Sequence, residues 1–178
     1  MTKVLIVVDM QNDFIDGSLG TKEALAIVDR VAEEISKDYD FIFCTRDTHN
    51  DDYLSSNEGK HLPVKHCIKG SDGWKLCKMV EDALAEKNED EYMIIDKPVF
   101  GSEKLVDLLR EYDRVSPISS ITLIGLCTDI CVVSNALLVK TAFPEIEINV
   151  LKDCCAGVSV ESHEAALQTM KMCQIEII

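Results

Sequence analysis

Hydrophobic positions along the chain follow two different spacings that alternate. Six short runs rich in Val, Ile and Leu predict β-strands at residues 3–8, 41–44, 92–95, 121–124, 146–151 and 175–178. Between these runs, apolar residues recur every three or four positions, which predicts helices at residues 22–37, 74–86, 103–112, 128–141 and 160–172. The alternation indicates an α/β fold with a six-stranded, mostly parallel sheet. In the fifth run Glu147 and Asn149 alternate with apolar residues, as in an edge strand.

The alternation continues along the whole chain. No stretch rich in Pro, Gly or Ser divides it, and no repeat is visible. Its 178 residues, 47% of them hydrophobic, supply enough apolar surface for one core, so residues 1–178 are predicted to form a single domain. Residues 46–73 connect a strand to a helix over far more than the usual few residues, and loops of that length are usually functional.

The chain is acidic, with 18 Lys and Arg, 32 Asp and Glu and a formal net charge of −14. Because binding to phosphate backbones or anionic lipid depends on basic residues, neither nucleic acid nor a membrane surface is an expected partner. The first apolar run, residues 4–8, is too short for a signal peptide or a membrane span, which predicts a cytoplasmic protein. Its eight cysteines are therefore interpreted as thiols.

Polar residues follow four of the predicted strands. In open parallel sheets, ligands bind beyond the carboxyl ends of the strands, so these residues are candidates for chemistry. They are Asp9 after the first strand, Asp47 and His49 after the second, Lys97 after the third and residues 127–131 after the fourth. An apolar environment raises the pKa of a carboxyl such as Asp9, and a nearby cation lowers it. Lys97 precedes Pro98 and is predicted to be extended, with its amine projecting from the strand end. A turn Asp and an exposed Lys are the alternative interpretations.

Residues 125–131 pass from a predicted strand into a predicted helix, for which Thr128 or Asp129 is a suitable N-cap. Cys131 then lies in the first helical turn, where free backbone N–H groups and the helix dipole lower a thiol pKa and can form an oxyanion hole. A small buried hydrophobe is the structural alternative for any one of the cysteines. Cys127 is predicted to contribute its backbone rather than its sulfur.

The long loop contains a candidate metal site. Asp47 and His49 are two positions apart and lie on the same side of an extended segment, and His66 follows later in the loop. Two imidazoles and one carboxylate leave coordination positions open, and Glu58 could add an oxygen ligand. His61 competes with His66 for the same role.

Four segments, which occur in the expected order along the sequence, show a family resemblance that covers essentially the whole chain. Val-Val-Asp-Met-Gln-Asn-Asp-Phe at 7–14, Thr-Arg-Asp-Thr-His at 45–49, His-Cys at 66–67 and Gly-Leu-Cys-Thr-Asp-Ile-Cys-Val at 125–132 resemble the isochorismatase-like cysteine hydrolases, and within them the nicotinamidases. The resemblance implies a Rossmann-like three-layer sandwich. It also implies a triad formed by Cys131, Asp9 and Lys97.

The same resemblance implies one divalent metal ion, with zinc expected and iron or manganese as alternatives. Its ligands are then Asp47, His49 and His66, and Glu58 aligns with an acidic position that ligates metal in some members. A cis peptide bond before Cys127 is implied as well. In the family this bond directs the N–H of that residue, together with the N–H of the nucleophilic cysteine, toward the oxyanion.

The resemblance favours a small amide as substrate, nicotinamide first, and we also expect a homo-oligomer. Phe14 would contact one side of the pyridine ring. Leu62 stands where an aromatic residue is common, so Trp74 or Tyr53 would contact the other side. In the implied mechanism Asp9 takes the thiol proton, and the thiolate attacks the amide to form a thioester.

Other functions stay open. The same triad would serve hydrolysis of an N-carbamoyl compound or a ureide, or an isochorismatase-type reaction. A non-catalytic module that binds a nucleotide or a metal is the remaining class. Dinucleotide binding would require G-x-G-x-x-G after the first strand, where residues 9–13 read Asp-Met-Gln-Asn-Asp instead.

Overall fold

A computed structural model describes residues 2–178 of the chain. Its six strands are β1 (Thr2–Val8), β2 (Phe41–Asp47), β3 (Tyr92–Lys97), β4 (Ile118–Leu126), β5 (Glu147–Ala156) and β6 (Glu176–Ile177). They form one sheet in the order β3-β2-β1-β4-β5-β6, and every neighbouring pair is parallel. The α/β prediction is confirmed, with a sheet that is parallel throughout rather than mostly so.

Helices connect the strands and cover both faces of the sheet. They are α1 (Asn12–Ile15), α2 (Lys22–Ala26), α3 (Val28–Ile35), α4 (Asn57–His61), α5 (Lys78–Ala85), α6 (Glu103–Val115), α7 (Val133–Ala142) and α8 (Val160–Met172). A 3₁₀ turn at Tyr53–Ser55 and a π-helical turn at Thr128–Val132 complete the regular structure. Within residues 2–178, no helix combines the length and apolar character needed to cross a bilayer.

The hydrophobic core lies in two layers, one on each face of the sheet. Alternate residues of β1 supply both layers, since Leu5 and Val7 pack with α2, α3 and α5, whereas Ile6 and Val8 pack with α6, α7 and α8. All four side chains are fully buried. A strand buried on both faces reads as a continuous apolar run, which is the pattern that the sequence shows.

Three differences between the predicted and the observed elements have a clear physical reason. The helix predicted at 22–37 divides at Ile27, whose N–H bonds to the carbonyl three residues back, at Ala24. The helix predicted at 74–86 begins only at Lys78, because backbone carbonyls at residues 73–75 accept hydrogen bonds from residues 11–13 instead. The prediction that the fifth strand is an edge strand was wrong, because β6 pairs with β5 on its outer side.

The strand order reverses direction between β1 and β4. The chain winds outward through β2 and β3 on one side of β1, and through β4, β5 and β6 on the other. In open parallel sheets the crevice at such a reversal, beyond the carboxyl ends of the strands, is where ligands bind. The residues that follow β1 and β4 are therefore the first place to look for a site.

Close packing of β1 against β4 depends on Gly125. Its φ is 116°, and a Cβ atom there would overlap the backbone of Val8. We expect Gly125→Ala to lower the free energy of unfolding by about 3 kcal/mol or more, because both strain and overlap would have to be relieved. Gly70 is the matched control, since its φ is 85° but nothing lies within 4 Å of the added Cβ. Urea denaturation of both variants checks this, and equal losses would contradict the close-packing explanation.

Candidate active site

Three side chains from different strand ends meet at the reversal point. Asp9 follows β1, Lys97 ends β3, and Cys131 lies in the turn after β4. The Lys97 Nζ is 2.7 Å from Asp9 Oδ2 and 3.5 Å from Cys131 Sγ. All three residues are almost completely buried, with 0%, 1% and 5% of their surfaces exposed. A cation therefore lies between a carboxylate and a thiol in a site shielded from water.

Thr45 in β2 holds both the carboxylate and the backbone of Asp9. The Asp9 Oδ1 accepts a hydrogen bond of 2.7 Å from the Thr45 hydroxyl, and the Asp9 backbone N–H donates to the Thr45 carbonyl. Asp9 adopts a left-handed backbone conformation with a φ of 48°, which is uncommon outside glycine and is often found at functional sites. Thr45 was not among the residues singled out from the sequence, and only its place in β2 beside β1 reveals its role.

Burial and charge set the protonation of the three groups. Burial raises the pKa of the Asp9 carboxyl, and Lys97 opposes this rise without cancelling it. Burial lowers the pKa of Lys97, but the negative charges of Asp9, Cys131 and Asp47 together outweigh it and raise this pKa, so the ammonium stays charged. Burial and the Asp9 charge raise the pKa of the Cys131 thiol well above its usual value. The sequence-based expectation of a lowered thiol pKa was therefore wrong, and the thiol needs a base.

Cys131 lies in what we call the cysteine turn, residues 127–132. The Cys127 carbonyl accepts hydrogen bonds from the N–H groups of Ile130 and Val132, which closes the turn. The Leu126–Cys127 peptide bond is cis, as the family resemblance implies. Cys127 takes the N-cap position with no side-chain hydrogen bond, so the prediction that Thr128 or Asp129 caps this helix was wrong.

Those two side chains instead attach the cysteine turn to α8. The Thr128 hydroxyl lies 2.8 Å from His163 Nδ1. The Asp129 carboxylate accepts hydrogen bonds from the Val158 N–H and from the Ser162 hydroxyl. His163 thus contributes to holding the turn.

Four potential metal ligands converge beside the triad. They are Asp47, His49, Glu58 and His66, and one ligand atom from each lies within 4.8 Å of the others. His49 Nε2 and His66 Nε2 are 2.9 and 3.4 Å from Asp47 Oδ2. Within residues 2–178 this is the group that could hold a metal, and His61 is outside it, with its Nδ1 on the Asn57 carbonyl.

The donor set fits a divalent transition metal. His66 Nδ1 is 2.9 Å from the Val64 carbonyl, an arrangement that leaves Nε2 available as a ligand. His49 Nε2 and Asp47 Oδ1 are buried and, in the described structure, have no hydrogen-bond partner of suitable geometry. Buried polar atoms rarely stay unpaired, so these orphaned atoms are what a metal would satisfy. Contacts with His49 and His66 also hold the pKa of Asp47 well below its usual range, although burial opposes this.

Residues after β1 hold the long loop in place. The Gln11 side chain donates to the Asp47 carbonyl and accepts from the Asp47 N–H, at 2.8 and 2.7 Å. The Asp13 carboxylate accepts a hydrogen bond of 2.7 Å from the Cys67 N–H, directly after His66. Gly73 permits this approach, since any side chain there would overlap the Asp13 carboxylate. Both polar residues belong to the first sequence motif, but their partners could not be identified from it.

A cavity of about 390 Å³ opens onto both groups. Its lining includes Asp47, Glu58, His66, Cys127 and Cys131, and its apolar walls are formed by Phe14, Leu19, Leu62, Phe100, Ile130 and Val158. Such a volume, with apolar walls and a few polar groups, is typical of a site for a small molecule. Phe14 and Leu62, the two predicted substrate contacts, both line this cavity.

Trp74 does not line this cavity, which corrects its predicted role. Its Nε1 donates to the Thr48 hydroxyl, and the Arg46 guanidinium stacks on its ring at 3.8 Å. Tyr53 packs against the imidazoles of the candidate metal group instead, with its ring centre 4.6 Å from that of His49. The aromatic wall that the sequence analysis missed is Phe100, in the segment after β3.

Comparisons with known proteins agree with this geometry. The family model described as Isochorismatase domain matches residues 3–178. The nicotinamidase/pyrazinamidase of Mycobacterium tuberculosis is 26% identical, covering 99% of this chain and 98% of that protein. A crystal structure of pyrazinamidase/nicotinamidase from Streptococcus mutans superposes with a TM-score of 0.86, at 30% identity and with 99% and 100% of the two chains covered. A pyrazinamidase of Pyrococcus horikoshii in complex with zinc has a TM-score of 0.81 and 27% identity, with 100% and 99% covered.

Proposed function

The chain belongs to the isochorismatase family, on its nicotinamidase branch, and from this premise we propose that it hydrolyses nicotinamide to nicotinate and ammonia. The observation that carries the proposal is one cavity whose lining includes Cys131 and three of the four convergent metal ligands, Asp47, Glu58 and His66. The Lys97 ammonium lies 3.5 Å from the Cys131 sulfur and 2.7 Å from the Asp9 carboxylate. Family members that lack the metal ligands would need only the thiol, the ammonium and the carboxylate. The presence of these ligands favours an amide substrate with a ring nitrogen.

In the proposed mechanism Asp9 is the general base. Its pKa is raised by burial, and it takes the proton of the Cys131 thiol as the sulfur attacks the amide carbonyl. Lys97 balances the negative charge that passes between carboxylate and sulfur, being 2.7 and 3.5 Å from the two. The raised pKa of the thiol makes this base necessary, because little thiolate exists beforehand.

Collapse of the tetrahedral intermediate completes the first half of the reaction. We assign stabilisation of its oxyanion to the backbone N–H groups of Cys127 and Cys131. Asp9 returns its proton to the leaving nitrogen, the C–N bond breaks, and ammonia departs from a nicotinoyl thioester on Cys131. Water then attacks the thioester carbonyl and transfers a proton to Asp9. The C–S bond breaks, Asp9 returns that proton to the Cys131 sulfur, and the product leaves as nicotinate and a proton.

Asp47, His49 and His66 would hold one divalent metal, with Glu58 as a further oxygen ligand. When bound, the metal would supply a Lewis acid for the pyridine nitrogen. Zinc is the proposed ion, because two imidazoles and carboxylate oxygen suit it, although iron and manganese accept the same set. Phe14 and Leu62 would contact the ring, and Phe100 replaces Trp74 as the second aromatic wall.

Ammonia release from purified protein tests the proposed function. Nicotinamide should give nicotinate and ammonia in equal amounts, whereas N-carbamoylsarcosine and a ureide such as allantoin should give far less. A protein that prefers either of the latter would keep the triad but have a different substrate. A protein that releases ammonia from none of them would overturn the proposal.

Removal of the metal should separate substrate orientation from activation of the thiol. We expect chelation to abolish most nicotinamide hydrolysis while iodoacetamide still alkylates Cys131, because Asp9 and Lys97 lie beside the sulfur without metal ligation. If chelation instead stopped alkylation in folded protein, the metal would belong to thiol activation.

Metal content of three histidine variants provides the companion test. His49→Ala and His66→Ala should lose most of the bound metal, because each removes a nitrogen from the convergent group. His61→Ala is the matched control and should retain it, since His61 lies in the same loop but outside that group. Retention in His66→Ala together with loss in His61→Ala would contradict the ligand assignment.

A further inference from the structure

Asn135 is a fully buried amide on α7, one turn beyond Cys131. Its Nδ2 donates to the Cys131 carbonyl at 2.8 Å and to the Phe100 carbonyl at 3.1 Å. Its Oδ1 accepts a hydrogen bond of 3.0 Å from the Ser102 N–H. Both amide hydrogens and the amide oxygen are thus engaged, and all three partners are backbone groups.

These bonds join two segments that border the cavity from different parts of the chain. The Cys131 carbonyl belongs to the cysteine turn, and Phe100 and Ser102 belong to the segment between β3 and α6. The same segment is held from its other end, where Lys97 Nζ donates to the Val99 carbonyl at 3.2 Å. The Phe100 side chain itself is 45% exposed, so its backbone rather than its packing fixes the position of this wall.

We propose that Asn135 is a positioning residue that sets the distance between the Phe100 wall of the cavity and the Cys131 sulfur. This inference rests on the proposed function, because it concerns an aromatic amide lying against Phe100 while the sulfur attacks its carbonyl. Displacement of a reacting group by about 1 Å can cost about 100-fold in rate, so a rigid connection between wall and nucleophile has a direct kinetic consequence.

The connection acts on substrate placement and not on the chemistry of the thiol. Asp9 and Lys97 approach Cys131 from β1 and β3, and neither side chain is hydrogen-bonded to the Asn135 amide. Lys97 Nζ does contact the Val99 carbonyl of the connected segment at 3.2 Å, but its ion pair with Asp9 at 2.7 Å holds it beside the sulfur. Loss of the amide should therefore leave the sulfur reactive toward a small reagent that does not use the Phe100 wall. Nicotinamide, which would use that wall, should react poorly.

Asn135→Leu keeps the branched shape of the side chain and its number of non-hydrogen atoms, and it removes all three hydrogen bonds. We expect kcat/KM for nicotinamide to fall about 100-fold, while the rate of Cys131 alkylation by iodoacetamide, followed by peptide mapping, stays at the wild-type value. Asn149→Leu is the matched control. Asn149 is also a buried asparagine, but it lies in β5 beside Thr122, within the sheet, and its substitution should affect stability without the kinetic change.

A double-mutant cycle with Phe100→Ala tests whether Asn135 acts through this wall. In the Phe100→Ala background, Asn135→Leu should cost much less than in wild type, because the wall that it positions is already gone. Asn135→Ser, whose hydroxyl is too short to reach all three partners, gives the same comparison if the leucine variant does not fold. Additive losses would overturn the inference.

Two further outcomes would also overturn it: unchanged kcat/KM in Asn135→Leu, or alkylation that falls in parallel with turnover. Failure of the proposed function would look different. In that case the wild-type enzyme itself would release no ammonia from nicotinamide, whereas failure of the present inference requires an active wild type.

Discussion

Replacing Cys131 with alanine should abolish nicotinamide hydrolysis, leaving at most a rate near the uncatalysed background. The sulfur is the proposed attacking atom, and no other group within residues 2–178 combines a thiol with the 3.5 Å contact to Lys97 Nζ. Loss of a nucleophile that acts with a base typically costs 10⁴-fold or more. Steady-state assays of ammonia release measure this loss, and thermal unfolding establishes that the variant is folded.

Cys127→Ala is the matched control, because it removes a thiol from the same turn and the same cavity. Burial raises the pKa of Cys127 to about 12, and its proposed contribution is a backbone N–H that alanine retains. We expect this variant to keep substantial activity. Comparable losses in the two folded variants would contradict the assignment of Cys131 as the nucleophile.

Asp9→Asn and Lys97→Met should each reduce kcat/KM by about 10²- to 10⁴-fold, the range of general acid–base catalysis. Asparagine cannot take the thiol proton, and methionine cannot balance the charge. Because the two residues act as a unit 2.7 Å apart, the double variant should lose little more than either single variant. Losses that multiply would contradict a shared mechanism.

The free energies of unfolding of Asp9→Asn, Lys97→Met and the double variant should rank differently from their activities. Lys97→Met leaves the buried Asp9 carboxylate without its cation, and Asp9→Asn leaves Lys97 with only the more distant Asp47, at 3.6 Å. Breaking a buried ion pair from one side costs about 3–5 kcal/mol. The double variant removes both charges and should be more stable than Lys97→Met, in which Asp9 and Asp47 face each other without the cation. Urea denaturation provides the comparison. A double variant less stable than both single variants would show that loss of the Asp9–Lys97 ion pair is not what destabilises the single variants.

The sequence predicts most of what brings the site together. Asp9, Asp47, Lys97 and Cys131 each end or follow a buried apolar run, and in a parallel sheet all such ends lie at one edge. The family resemblance added which of them act together. It also favoured His66 over His61, a choice that depends on the pairing of His49 with Ile68, which brings the end of the long loop beside His49, and not on spacing.

Features that depend on contacts between distant segments could not be predicted in the same way. Trp74 is an aromatic residue of the kind that contacts a substrate ring. Its own ring instead stacks with Arg46 at the end of β2, and its Nε1 donates to the Thr48 hydroxyl in the loop that follows. Thr45 and Asn135 are ordinary polar residues in a strand and a helix, and only their partners give them roles. The pKa of Cys131 depends on burial beside Asp9, which outweighs its place at a helix start.

Partitioning of the reaction in the presence of hydroxylamine tests most directly whether a thioester forms on Cys131. Hydroxylamine attacks a thioester faster than water does, so wild-type enzyme turning over nicotinamide should form nicotinohydroxamate alongside nicotinate. The hydroxamate fraction should rise with hydroxylamine concentration, and Cys131→Ala should form neither product. Nicotinate as the sole acid product at every hydroxylamine concentration would show that water attacks the amide directly, and would contradict a covalent role for Cys131.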